Sequence, residues 1–193
     1  RGFPFIKNTG CAKNCSKCID ICPANAIELK PVSIDMGKCV FCGDCERVCP
    51  EQIFKFSNFH KNSTTDREIL IVDATISYDE FQKKAIEVKK EIKRVFKRSL
   101  KLRSVSAAGC NACEMELNAC TNVNFDMQRF GIDIVASPRH ADGLIITGPV
   151  SENMAKALDD AYHSVPEPKI VICAGACAIS GGIFTDSEAI NRS

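Results

Sequence analysis

Eight of the thirteen cysteines in this chain fall between Cys11 and Cys49, and they are arranged as a repeat. Cys15, Cys18 and Cys22-Pro23 recur 27 residues later as Cys42, Cys45 and Cys49-Pro50. With Cys11 and Cys39 added, the two runs read C-x3-C-x2-C-x3-C-P and C-x2-C-x2-C-x3-C-P. An internal repeat of this length predicts two pseudo-symmetric halves of one small domain. A strand-like stretch follows each Cys-Pro, at residues 26–29 and 52–56. No export signal is visible, so cysteines at this density read as metal ligands before disulfides.

The spacing matches what a four-iron cubane needs. Three closely spaced thiolates wrap three of its corners, and a distant fourth closes it. In the bacterial ferredoxin form of this run the fourth Cys ligates the other cluster. That rule assigns Cys11, Cys15, Cys18 and Cys49 to one 4Fe-4S cluster, and Cys39, Cys42, Cys45 and Cys22 to a second. Proline after the fourth Cys fixes the backbone angle at which the chain leaves. The first run departs from the pattern by one extra residue between Cys11 and Cys15, which widens that loop. Four thiolates also suit zinc, and a zinc-stabilised interaction protein is the reading from another class. Zinc, however, has no use for a repeated run closed by Cys-Pro.

Composition sets the outer limits. Of 193 residues, 45% are hydrophobic and 25% charged, which allows a packed core. The longest apolar runs, residues 143–150 and 169–178, fall short of the roughly 18 to 20 residues of a membrane span. The opening Arg1-Gly2-Phe3-Pro4 has neither an apolar signal core nor a twin-arginine pair, and a cytoplasmic address is expected. A net charge of +1 argues for no nucleic-acid partner. The first residue is not Met and the end, Asn191-Arg192-Ser193, closes no element; the chain is read as a fragment, truncated at its C-terminus.

Residues 1–60 form the expected first domain and 61–100 a linker. Within the linker, residues 68–72 read as a short strand, and a helix starts at Ser77, where Ser77 and Glu80 make a capping box. Phe81, Ala85, Val88, Ile92 and Val95 form an apolar stripe, which predicts that the helix folds back against one cysteine module. Ten Lys or Arg lie between Lys83 and Arg103, against only Glu87 and Glu91. That basic face reads first as solvated surface, with a partner subunit or anionic lipid as the alternative.

Residues 101–193 form the expected second domain. Strands at 101–105, 132–136, 144–147 and 170–173 alternate with helices at 114–119 and 152–163, which predicts an α/β layer with a parallel sheet. Ligands in such sheets sit at the carboxyl ends of strands. Cys110 and Cys177 each follow a predicted strand, so the two are expected to meet at one sheet edge.

Residues 99–184 carry Gly109-Cys110-Asn111-Ala112-Cys113-Glu114, Ser-Pro-Arg-His-Ala-Asp at 137–142, Ile-Thr-Gly-Pro-Val at 146–150 and Gly-Ala-Cys-Ala-Ile-Ser-Gly-Gly at 175–182. In these motifs the segment resembles the small subunit of membrane-bound group 4 [NiFe] hydrogenases of the formate hydrogenlyase type. More distantly it resembles the B subunit of NADH-quinone oxidoreductase, complex I. The resemblance implies a flavodoxin-like parallel-sheet domain, here preceded by a small α+β ferredoxin-like domain. It implies a third 4Fe-4S cluster on Cys110, Cys113 and Cys177, whose fourth ligand would fall beyond Ser193. Glu116 and Arg139 are the implied modulators of that cluster, while Cys120 and Cys173 read as small buried hydrophobes.

The quinone-reducing branch has adjacent cysteines where this chain has C-x2-C, and His140 and Gly148-Pro149 also lean to the hydrogenase side. The function implied is an electron-transfer subunit passing electrons between a ferredoxin-type donor or another Fe-S subunit and the [NiFe] site of a partner large subunit. It would sit with the membrane arm of the complex, peripheral on the inner face of the cell membrane. An equivalent subunit of a quinone-reducing, complex I-like oxidoreductase is the alternative. A self-contained reductase, working at an open iron of the third cluster, is a third reading. No nickel-ligand pattern and no G-x-G-x-x-G loop are seen, so the catalytic centre is expected in another subunit.

Overall fold

The computed structural model of the chain describes residues 1–7, 11, 15–97 and 99–191, the side chains of 84–86 and 88 excepted. Two compact units emerge, Arg1–Lys90 and Glu91–Ser193, and they are built on different principles.

The first unit runs β1 (Pro4–Ile6), α1 (Lys17–Asp20), β2 (Ile27–Leu29), β3 (Val32–Asp35), α2 (Asp44–Val48), β4 (Phe54–Phe56), β5 (Ile71–Asp73) and the start of α3 (Tyr78–Phe96). β1 pairs antiparallel with β4, and β2 with β3. The sequence repeat becomes a backbone repeat at the two Cys-Pro turns. Three residues after each fourth cysteine, Asn25 and Gln52 take left-handed backbone angles, φ 47 and 48, a conformation uncommon outside glycine. Each bends the chain so that the next amide reaches back to the thiol: Ala26 N–H donates to Cys22 Sγ at 3.3 Å, and Ile53 N–H to Cys49 Sγ at 3.5 Å. The core beneath is Ile6, Ile27, Ile34, Ile53 and Phe54 together with Cys18 and Cys45, which sit in α1 and α2.

The segment 68–72, expected as a strand, is split. Asp66 Oδ1 accepts the Glu68 N–H at 3.0 Å and turns the chain; a 3-10 turn takes residues 68–70, and the strand starts only at Ile71. β5 then pairs antiparallel with β3, Val72 opposite Ile34, and Leu70 and Val72 are buried. A stretch read as linker thus supplies a third strand.

At the N-terminus of α3 the expected capping box is formed: Ser77 N–H donates to Glu80 Oε2 at 3.1 Å, and Glu80 N–H to Ser77 Oγ at 3.3 Å. The apolar stripe is not buried evenly. Phe81 is buried against Phe3, their ring centroids 5.4 Å apart, and Tyr78 lies edge-on to the same ring at 5.2 Å. Ala85 and Val88 lie outside the described side chains, Ile92 is half-buried, and Val95 is exposed.

The second unit is a four-stranded parallel sheet, flavodoxin-like, in the order β7-β6-β8-β9. Its elements are β6 (Leu100–Ser106), α4 (Ala112–Cys120), β7 (Ile132–Ile134), β8 (Gly143–Thr147), α5 (Glu152–Ser164), β9 (Ile170–Ala174) and α6 (Ala176–Ser180). All five residues of β8 are buried, as expected for an inner strand of a parallel sheet covered on both faces. Met154, Leu158 and Ala161 of α5 pack on the core built around Val105, Leu144 and Ile146. β9 is an edge strand of the described sheet and alternates, leaving Val171 and Cys173 exposed. Cys173 is therefore not the buried hydrophobe expected, and Cys120, the last residue of α4, is only half-buried. Among the described residues no helix is long and apolar enough to cross a membrane.

Candidate metal centres

Cys22, Cys39, Cys42 and Cys45 line one pocket in the first unit, floored by Ile34 and Phe56. One of these cysteines comes from the first run and three from the second. Phe41 has a left-handed backbone (φ 54) that turns its N–H onto Cys39 Sγ at 3.3 Å. Burial pushes the Cys39 thiol up to about 11, with the neighbouring Cys22 and Cys42 adding to it against the Phe41 amide. Burial also pushes Cys45 up to about 12, joined by Cys39, Cys22 and Cys42. Thiols crowded and desolvated in this way hold their protons until a cation collects the charge.

A second group forms around α1. Burial raises the Cys18 thiol, and Cys11 and Cys49 raise it further by their charge; a thiol from the second run again joins the first. Cys15 stands half-buried just before α1. The widened loop falls on residues 12–14, outside the described residues.

Four cysteines around a pocket floored by apolar side chains are a donor set that suits a thiolate-held 4Fe-4S cluster.

In the second unit three cysteines gather at the carboxyl end of the parallel sheet. Cys110 lies in the loop after β6, Cys113 in the first turn of α4, and Cys177 in α6 just past β9. Gly175 takes φ +89, and a β-carbon there would lie 2.6 Å from Cys113 Sγ; glycine is what lets the β9 loop close onto α4. Burial raises the Cys113 thiol, with Glu114, Cys177, Cys110 and Glu116 contributing by charge. Burial likewise raises Cys177, with Cys110 beside it.

Glu116 and Arg139 are both exposed, and Glu116 is among the charges felt at the Cys113 thiol. The carboxylate built into the site is Glu114, which the sequence reading passed over. Thr147, fully buried at the end of β8, donates its hydroxyl to Glu114 Oε1 at 2.5 Å. Burial opposes ionisation of Glu114, but hydrogen bonds with Ser106 and Thr147 outweigh it and hold the carboxyl below its usual range. Its other oxygen, Oε2, is buried without a partner among the described residues. The one available sequence signal was its place next to Cys113.

Gly175→Ala should therefore damage this site alone. The new methyl group meets the Cys113 sulfur and the backbone angle is strained for any side chain. Iron content of the purified protein is expected to fall at the third site while the eight N-terminal thiols keep theirs. Unchanged iron would show that the loop relaxes freely.

Residues 110–193 match the family model for the NADH ubiquinone oxidoreductase 20 kDa subunit. Residues 11–53 match a 4Fe-4S dicluster domain. Over 99 residues the chain is 46% identical to formate hydrogenlyase subunit 7 of Escherichia coli, covering 51% of this chain and 39% of that protein. It is 41% identical over 87 residues to the probable membrane-bound hydrogenase subunit mbhJ of Pyrococcus furiosus, covering 45% and 52%. To the B subunit of the NADH-quinone oxidoreductase of Clostridium beijerinckii it is 44% identical over 80 residues, covering 41% and 47%. The chain spans about half the length of the curated relatives it matches. The chain is thus similar to a 4Fe-4S dicluster domain in one stretch and to the NADH ubiquinone oxidoreductase 20 kDa subunit in another, and its relatives include a formate hydrogenlyase subunit, a probable membrane-bound hydrogenase subunit and NADH-quinone oxidoreductase B subunits.

Proposed function

We propose that the chain is an iron-sulfur electron-transfer subunit of a membrane-bound hydrogenase complex. The observation that carries this is the union, in one chain, of two interleaved thiol groups in a dicluster domain with a third thiol group in a domain shared with hydrogenase subunits. Cys11, Cys15, Cys18 and Cys49 would hold one 4Fe-4S cluster and Cys39, Cys42, Cys45 and Cys22 a second. Cys110, Cys113 and Cys177 would supply three ligands of a third. Such clusters supply one-electron storage at potentials set by their surroundings. The protein's part is to hold the thiols, keep water from the buried ones, and deprotonate them as iron binds.

Partner subunits follow from the same reading: a large subunit over the third site, other Fe-S subunits or a ferredoxin as exchange partners, and a membrane arm. Met115, two residues after Cys113, and Ile183, next to Gly182 at the Cys177 sulfur, are both exposed, an apolar rim suited to being covered. The complex would place this chain peripherally on the cytoplasmic face of the membrane, its catalytic centre in another subunit. A complex I-like assembly is the second reading, favoured by the NADH-quinone oxidoreductase relatives; the C-x2-C spacing at Cys110 leans towards the hydrogenase type.

The test is Cys177→Ser in the anaerobically purified full chain. One paramagnetic signal of the reduced protein should disappear while the two N-terminal signals persist, and a bound large subunit should perturb only the signal that Cys177→Ser removes. Retention of every signal in Cys177→Ser would refute the third site as drawn.

A further inference from the structure

Arg67 lies outside both cysteine runs, 18 residues past Cys49, yet it is tied to the turn that carries Cys39. Asp35, at the end of β3, organises that turn. Its Oδ1 accepts the Gly37 N–H at 2.8 Å, and its carbonyl accepts the N–H groups of Lys38 and Cys39 at 3.1 and 2.9 Å. Arg67 Nη2 donates to the other carboxylate oxygen, Oδ2, at 2.5 Å. The guanidinium lies over Gly37, where a β-carbon would come within 2.7 Å of Arg67 Cζ, so Gly37 clears the space that the arginine occupies. Arg67 Nη1 is buried with no hydrogen-bond partner among the described residues, and a buried guanidinium nitrogen left unpaired is costly. A salt bridge thus fixes a cation and an anion at the turn that carries one cluster ligand.

We propose that the Arg67–Asp35 pair is a positioning and charge-balancing device for the second N-terminal cluster, setting its reduction potential apart from that of the first. The inference rests on the reading of Cys39, Cys42, Cys45 and Cys22 as that cluster's ligands. The arginine is supplied by the residue before the 3-10 turn that leads into β5, a segment outside the sequence repeat. Taking up one electron from a chemical reductant makes the cluster more negative. A nearby fixed cation favours that step and a nearby fixed anion opposes it. Asp35 without its arginine would leave bare negative charge at the Cys39 turn, while Arg67 without its aspartate would leave bare positive charge.

The experiment is a redox titration, followed by electron paramagnetic resonance, of the anaerobically purified full chain and four variants, Arg67→Gln, Arg67→Lys, Asp35→Asn and the double Asp35→Asn/Arg67→Gln. Asparagine keeps the acceptor for the Gly37 amide, so the turn survives. Arg67→Gln should move one N-terminal signal to lower potential, Asp35→Asn should move the same signal to higher potential, and the other signals should stay. Arg67→Lys and the double variant should both lie close to wild type. Shifts of opposite sign from two neighbouring substitutions are not produced by loosened packing. Equal-sign shifts, or no shift with all signals present, overturn the inference and leave the ligand reading intact. Only one N-terminal cluster signal in the wild-type chain overturns both. If Arg67→Gln yields no folded protein, an upward shift of one N-terminal signal in Asp35→Asn with Arg67→Lys close to wild type supports the inference, and no shift or a downward shift in Asp35→Asn overturns it.

Discussion

Cys22→Ser is expected to abolish the cluster of the second cysteine run while sparing the first. In sequence Cys22 closes the first run, behind Cys11, Cys15 and Cys18. In space its sulfur lines the pocket of Cys39, Cys42 and Cys45, and its charge is felt at both Cys39 and Cys45. The reciprocal substitution, Cys49→Ser, should empty the site at Cys18, where Cys11 and Cys49 meet. Each single substitution should cost roughly four iron per chain out of the cluster concerned. The combination Cys22→Ser with Cys45→Ser should cost no more than either alone, whereas Cys22→Ser with Cys18→Ser should cost both clusters. Iron and sulfide analysis reads the difference directly. If the pairs behaved the other way round, each run would own its cluster and the interleaved assignment would be wrong.

Phe81→Ala should destabilise the first unit by about 3 to 5 kcal/mol, the usual range for emptying a buried phenylalanine site. Phe81 is 2% exposed and Phe3 is 0% exposed, and the two rings join an aromatic cluster with Tyr78, itself stacked on Phe59 at 4.3 Å. Phe3 immediately precedes β1, so a cavity at Phe81 loosens the strand that pairs with β4 behind the Cys49 turn. Against a typical total stability of about 5 to 15 kcal/mol this is a large fraction. Because metal release accompanies unfolding, the natural measurement is the denaturant concentration at which cluster absorbance is lost. It should drop clearly in Phe81→Ala. The same logic separates two fragments. Residues 1–60 contain all eight N-terminal cysteines but lack β5 and Phe81, whereas residues 1–90 contain both. The longer fragment should keep its iron to higher denaturant. Equal resistance in the two would show that the clusters alone hold the unit together.

Cysteine spacing alone points to iron-sulfur chemistry in the first unit, and the apolar pattern to the parallel-sheet architecture of the second. Ligand spacing is a local property: the Cys-Pro turns close over four residues, so the backbone that serves each thiol is written beside it. Hydrophobic alternation is equally local, and it placed β6, β8, β9, α4 and α5 within a few residues. The features that no local pattern reveals depend on partners distant in the chain. Arg67 meets Asp35 across 32 residues, Thr147 meets Glu114 across 33, and Phe3 meets Phe81 beside a strand that read as linker. A stripe such as Phe81 to Val95 states that a helix has an apolar face, but which part of it is buried depends on what surface the rest of the chain presents. Glu116 and Glu114 likewise look equivalent as letters two apart. On a helix two residues apart point to different sides, and only the ends of β6 and β8 determine which one enters the site.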